Sequence, residues 1–167
     1  VGLYPYARHY LHSIKQRFGS YWSNHFSTIG LIGMNEACQN LLGVSIADPK
    51  GQAFAIRTLN FMRDTLGRFQ EETNHLYNLE ATPAEGASFR LAKADKERFP
   101  GGFVSGSPQA PYYTNSTHLP VSYSDDLFEV LEHQDKLQAL YTQRQLLHIY
   151  LGEQLDDWRQ ACELVRT

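Results

Sequence analysis

From His75 the chain runs through an apolar, aromatic stretch, His75-Leu-Tyr-Asn-Leu79, straight into Glu80-Ala-Thr-Pro-Ala-Glu-Gly86, and a helical pattern follows. A strand that stops in small residues and opens a helix is the βα unit of an α/β fold. It presents backbone N–H groups to an anion at the strand's carboxyl end. Here the turn also carries a carboxylate, Glu85, which an anion-cradling loop does not need. The pairing of open amides with an acid or base suits a site that holds a phosphorylated substrate. Thr82-x-x-Glu85 also has the spacing of a helix capping box, and the two roles are compatible.

The rest of the pattern fits that unit. Tyr6, Tyr10, Leu11, Ile14 and Phe18 recur at helical spacing and predict a helix over Tyr6–Phe18, broken by Gly19-Ser20. His25–Gly33 reads as a short buried strand. Met34–Leu42 reads as a short helix closed by Gly43. Asp48-Pro49 is a helix start, a carboxylate cap followed by proline, and predicts a helix to about Glu72. Ala55, Leu59, Met62, Leu66 and Phe69 form its apolar stripe, with Arg57, Asn60, Asp64, Arg68 and Glu71 on its other faces. A strand over His75–Leu79 and a helix over Glu85–Arg98 come next. The Gly-, Ser- and Pro-rich Pro100–Pro111 is a loop, and Pro111–Pro120 reads as a third strand. Ser124-Asp125 caps a helix to about Tyr141, and a last helix spans roughly Gly152–Val165. Strands alternating with helices predict an α/β fold with a mainly parallel sheet. Three strands are few for such a domain, so they read as consecutive strands of a larger barrel or sheet.

Composition narrows the function classes. The chain has 167 residues, enough for a core, with 42% hydrophobic residues and a formal net charge of −3. That charge offers no basic field for nucleic acid. No apolar run is long enough to span a bilayer, so no membrane partner is expected. Ten tyrosines point to wide buried or ligand-facing aromatic surfaces. The two cysteines, Cys38 and Cys162, lie far apart with no metal-ligand spacing, which fits a reducing cytoplasm and no metal site. The chain starts at Val1 inside a patterned segment, as a piece of a longer polypeptide does.

Ligands of α/β folds sit beyond the carboxyl ends of the strands. Three loops are therefore the candidates: Gly30–Cys38, Glu80–Gly86 and Tyr113–His118, the last with Asn115 and Ser116. Thr82, Ala84 and Gly86 are small enough to let amides approach a phosphate, and the following helix dipole favours the same charge. Cys38 lies one turn after Met34, where a buried thiol is usually packing and a redox role is the alternative. Cys162, near Trp158 and Val165, is a weaker candidate. His9 and His12 are three apart on a helix and read as a surface pair. His118 is a polar-site candidate, though a core histidine is the commoner outcome. Glu71-Glu72 reads as solvated.

Four blocks carry a resemblance over nearly the whole chain: GLYPYARHYL (Gly2–Leu11), FSTIGLIGMNEACQNLLG (Phe26–Gly43), the run from Gly51 through YNLEATPAEG to Pro100, and PYYTNSTHLPVSYSDDLFEVLEHQDKLQ (Pro111–Gln138). In this order they resemble the anaerobic (class III) ribonucleoside-triphosphate reductases, glycyl-radical enzymes. The resemblance implies that residues 1–167 are one segment, the latter part of a ten-stranded α/β barrel made of two half-barrels. In that family a finger-loop cysteine becomes a thiyl radical and takes the 3′ hydrogen of the ribose. Water then leaves from C2′ and the sugar is reduced to the deoxyribonucleotide. Glu85 inherits an acid/base or positioning role. Thr82, Ala84 and Gly86 inherit phosphate-binding or loop-shaping roles, and Asn115 and Ser116 substrate contacts. GMNEAC resembles the branch using a thiol-based reductant, which makes Cys38 a candidate reducing thiol.

The resemblance also implies partners: a ribonucleoside triphosphate, the remaining parts of the reductase, and a radical-generating activase with S-adenosylmethionine and an iron–sulfur centre. A homodimer and a cytoplasmic location are implied for the full enzyme. The family's finger-loop block, nucleotide-sensing ATP-cone, and C-terminal glycyl-radical segment with its four-cysteine zinc site match none of these residues. The segment is therefore expected to be inactive alone, with no cofactor of its own. The family's YTGGT stretch stands here as Tyr141-Thr-Gln-Arg-Gln145, with Arg144 in place of a glycine. Two other readings are a complementing module that assembles with the missing barrel half, and a related glycyl-radical lyase sharing the fold.

Overall fold

The computed structural model describes residues 5–121, 123–142 and 154–166. The elements follow the order helix, helix, strand, helix, helix, strand, helix, two short strands, helix, helix. Helices α1 (Pro5–Tyr10) and α2 (His12–Phe18) stand where one helix is expected. The break at Leu11 leaves His9 and His12 on different helices, both exposed. Gly19 ends α2 as read from the sequence.

Strands β1 (Phe26–Gly30) and β2 (Leu76–Glu80) pair in parallel, with Phe26 opposite Leu76 and Gly30 opposite Glu80. Between them run α3 (Met34–Leu42), closed by Gly43, and the long α4 (Pro49–Thr73). Asp48 caps α4 by accepting the Lys50 N–H at 2.8 Å. The α4 stripe packs as its spacing predicts: Ala55, Leu59 and Leu66 are buried with Leu79 of β2, and Met62 leans on them. Phe69 meets Tyr77 of β2 with ring centroids 5.8 Å apart, so Tyr77 and Leu79 define the face of the sheet that α4 covers.

Two strand expectations are corrected. β1 is exposed along its length, with Phe26 at 55%, because α4 packs against β2 and no layer among the described residues covers β1. The third parallel strand is absent among the described residues. Pro111–Pro120 forms only β4 (Pro111–Tyr112), antiparallel to β3 (Ser105–Gly106), and then turns inward as an irregular buried loop. The parallel sheet therefore has two strands among the described residues. Thr142 lies on the other edge of β2: its N–H donates to Leu79 O at 3.1 Å, and its Oγ1 accepts the Leu79 N–H at 2.8 Å.

Helix α5 (Glu85–Arg98) has the expected bounds. α6 (Leu127–Gln138) starts later than Ser124-Asp125 because Asp126 is the cap, accepting from Phe128 and Glu129 N–H. α7 (Trp158–Arg166) is shorter than expected, and Gly152 lies outside the described residues, as does Gln143–Gln145 with Arg144. No helix among the described residues is long and apolar enough to cross a membrane.

Candidate functional site

The three loops picked out as strand ends meet at the carboxyl end of β1 and β2. After β1 the chain makes a bridge from Ile32 to Asn115. Gly33 follows with φ +78°, and its N–H donates to Thr114 O at 2.8 Å. That left-handed turn aims the start of α3 at the Tyr113–His118 loop, where Met34 N–H donates to Ser116 O at 3.2 Å. Gly30 has no room for a side chain, since a Cβ there would strike Thr82 Oγ1. The first and second loops thus touch at Gly30 and Thr82, and the first and third at Gly33 and Thr114. The second and third touch where Ser116 Oγ donates to Thr82 O at 3.3 Å.

The third loop is the buried part. Thr114, Ser116, Thr117, His118 and Leu119 are all buried. Ser116 has φ +46°, and its Oγ also reaches Asn115 Oδ1 at 2.7 Å. Thr117 is held by Gln134 Nε2, which donates to its carbonyl at 3.2 Å, and by Tyr141 OH, which donates to its Oγ1 at 3.1 Å. Burial pushes the Tyr141 phenol up to about 12 despite these hydrogen bonds, so it stays a neutral donor. Ser88 of α5 is tied to Tyr113 twice, through N–H and C=O. Burial and the hydrogen bond to Asp95 raise Tyr113 to about 12 as well. Tyr113 and Asp95 line a cleft of about 210 Å³ with Asn40, Phe99 and Phe103, which the candidate loops reach only through Tyr113.

The second loop is the open part. Glu85 and Gly86 are exposed, and Thr82 and Ala84 are half-buried. The capping-box reading is corrected: the N-cap of α5 is Ala84, and no side chain caps the helix. Ala84 takes φ +45°, a conformation that L residues seldom adopt, and its carbonyl accepts the Ser88 N–H at 2.8 Å. The first-turn N–H groups of α5, which begin at Glu85, therefore have no side-chain acceptor. Four non-glycine residues have positive φ among the described residues, and two of them, Ala84 and Ser116, lie in these two loops. Backbone strain of this kind collects at functional sites.

The remaining candidates lie elsewhere. Cys38 is fully buried, its thiol donating to Gly51 O at 3.6 Å across the α3–α4 contact. Burial, and then the nearby Glu36 charge, push its pKa up, which keeps the thiol protonated and a poor nucleophile. Cys162 is exposed on α7. No group of three or more His, Cys, Asp or Glu side chains among the described residues gathers to hold a metal ion.

Sequence reasoning missed Asn35-Glu36. Both are 1% exposed in the first turn of α3, between buried Met34 and Cys38. Asn35 Oδ1 accepts from Ser45 Oγ at 3.0 Å and Ile46 N–H at 3.2 Å. The Glu36 carboxylate accepts from Thr114 N–H at 3.0 Å and Thr114 Oγ1 at 2.7 Å, and also from Ser105 Oγ. The available signal was a polar pair set inside an otherwise apolar run, GLIGMNEAC.

The sequence profile described as "Anaerobic ribonucleoside-triphosphate reductase" matches residues 1–167. The anaerobic ribonucleoside-triphosphate reductase of Escherichia coli is 32% identical over 96 residues, 56% of this chain and 13% of that protein. The enzyme of that name from phage T4 is 27% identical over 126 residues, 75% of this chain and 19% of that protein. The crystal structure of the anaerobic ribonucleotide reductase from Thermotoga maritima with citrate in the active site shares the fold at a TM-score of 0.66 and 21% identity, over 92% of this chain and 27% of that one. The chain thus spans between 13% and 19% of the length of these curated relatives. With every residue inside the profile and the fold shared, the chain belongs to the anaerobic ribonucleoside-triphosphate reductase family.

Proposed function

We propose that these residues form part of the catalytic α/β barrel of an enzyme that reduces ribonucleoside triphosphates to deoxyribonucleoside triphosphates by a radical mechanism. One observation carries the reading. In a chain of this family, the loops Gly30–Gly33, Ala81–Gly86 and Thr114–His118 converge at the carboxyl end of a parallel strand pair, where α/β folds bind ligands. The open amides of α5 at Glu85, Gly86 and Ala87 receive phosphate oxygens, with Thr82 and Ala84 shaping the turn. Asn115, half-buried, contacts the nucleotide from the Thr114–His118 wall, and Ser116, fully buried behind it, holds the Asn115 side chain through its hydroxyl. Glu85, exposed and without a hydrogen-bond partner among the described residues, is free to exchange a proton with a ribose hydroxyl as water leaves.

The radical cysteine and the glycyl radical belong to the family's other segments, as do the activase interaction, the zinc site and the homodimer interface. Cytoplasmic deoxynucleotide synthesis for DNA replication is the setting. Supplied with nucleotide, reductant and activase, residues 1–167 alone make no deoxynucleotide; turnover by them would overturn that assignment. In the full-length reductase, Glu85→Gln lowers kcat by about 100-fold, and an unchanged kcat removes Glu85 from the mechanism. Ribonucleoside triphosphates, rather than small acids or diols, are the ligands that bind.

A second, compatible reading is assembly with further barrel strands. On the sheet face away from α4, Phe26, Thr28 and Leu76 are exposed, while Asn78 is buried with neither amide atom hydrogen-bonded. Such a face suits covering by more of the same barrel. For Cys38 we propose a packing role, and Cys38→Ser with wild-type turnover on a thiol reductant is the expected result.

A further inference from the structure

We propose that Glu36 is a positioning residue of the reductase: its buried carboxylate fixes the Thr114–Ser116 loop, and thereby the place of Asn115 against the nucleotide. The inference rests on the function proposed above.

Glu36 is 1% exposed, yet no lysine or arginine pairs with it among the described residues. A buried carboxylate in that position needs hydrogen-bond donors. It has them from three parts of the chain. Thr114 donates through its N–H at 3.0 Å and its hydroxyl at 2.7 Å. Ser105 Oγ donates from β3, and Asn35 Nδ2 from the same helical turn at 3.3 Å. Two of these donors belong to Thr114, which lies 78 positions along the chain. The backbone of the same turn adds two more holds on the same loop, Gly33 N–H to Thr114 O at 2.8 Å and Met34 N–H to Ser116 O at 3.2 Å. The start of α3 therefore grips the loop on both sides of Asn115, by two backbone bonds and one carboxylate.

The carboxylate is the part of this grip that chemistry can change without altering shape. Glutamine has the same outline but one oxygen, and its amide group sets N–H against the Thr114 N–H or against Asn35 Nδ2, while the Thr114 and Ser105 hydroxyls can turn to accept. One donor then loses its acceptor and the loop shifts. A bound substrate tolerates such shifts poorly, since a misplacement of about 1 Å costs on the order of 100-fold in rate.

The test uses the full-length reductase with its activase, reductant and a ribonucleoside triphosphate. Glu36→Gln is expected to lower kcat/KM by about tenfold or more. Amide hydrogen exchange across Thr114–Ser116 should speed up with it. Glu36→Asp, which keeps the charge, should recover part of the loss. Ser105→Ala removes a donor that does not belong to the loop and should stay within about twofold of wild type in kcat/KM. If Glu36→Gln does not fold, Thr114→Val carries the test, because it deletes one of the two loop donors and leaves the carboxylate in place. Wild-type kcat/KM in Glu36→Gln overturns the proposal. So does a loss in both Glu36→Gln and Ser105→Ala that follows only their unfolding midpoints, which is the mark of a merely structural acid. A wild-type enzyme that neither binds nor reduces ribonucleoside triphosphates defeats the function reading instead. Hydrogen exchange at Thr114–Ser116 would then still report whether Glu36 holds the loop.

Discussion

The Thr114–His118 loop and the Ala81–Gly86 loop meet at the same end of β1 and β2, and their side chains live in different surroundings. In the first, four polar residues are buried and held by groups from α3, α6 and Tyr141. In the second, Glu85 and Gly86 face outward, and the amides that open α5 have no side-chain cap. A buried polar loop is rigid only if its hydrogen bonds are satisfied, because each lost partner exposes a desolvation cost. An open loop can offer its donors and its acid to a ligand, and this one is anchored only at its start, where Thr82 meets Gly30 and Ser116. In the proposed site the pair divides the labour: the buried wall fixes position, and the open loop presents its amides and its acid.

That division can be broken experimentally. The largest expected effect is on stability at the buried wall. Glu36→Ala strips the acceptor from Thr114 and Ser105 and should lower unfolding free energy by about 3 kcal/mol in denaturant titration, whereas Glu85→Gln should change it by less than about 0.5 kcal/mol. Equal losses would erase the distinction. Next comes the seam between the first and second loops, where Gly30→Ala drives a methyl into Thr82 and should destabilise by about 2 kcal/mol. A neutral result would show that the open loop yields easily.

Thiol labelling gives a smaller and purely kinetic contrast. Exposed Cys162 should react with a maleimide at least about tenfold faster than buried Cys38 in the native protein, and the two rates should converge in denaturant. The smallest effect is a pH dependence behind the buried wall. His133 of α6 donates from Nε2 to Ile46 O at 3.0 Å and accepts from Gln134 at Nδ1, so it is held neutral. Burial lowers its pKa below the usual value, with the Ile46 bond opposing. The folded state therefore resists protonation more than the unfolded chain does. Its contribution is complete above about pH 6.5 and is lost as pH falls below that towards the lowered folded value. The denaturant midpoint should drop on acidification through this window, and His133→Asn should flatten the drop.

Much of this was legible in the residues. Asp48-Pro49 announced α4, its stripe predicted the residues that pack on Leu79, and Gly43 marked the end of α3. The strand–ATPAEG–helix unit stands where its pattern placed it. Those signals are local: caps, periodicity and turn residues act through the backbone within a few positions. The misreadings have a common cause. Pro111–Pro120 has strand-like residues, yet Thr114, Ser116 and Thr117 find their partners in Glu36, Thr82, Gln134 and Tyr141 instead of in a neighbouring strand. Thr82 has capping-box spacing, yet its side chain is taken up against Gly30 and Ala84 becomes the cap.

By itself, the sequence determined the βα unit around Glu85, the main helices, and a motif string specific enough to name the family. Tertiary structure decided which polar residues became a wall and which stayed open, and it brought Glu36 to Thr114 across 78 positions. The physical reason is that capping and periodicity are short-range, whereas the satisfaction of a buried carboxylate depends on whichever distant donors the fold carries to it.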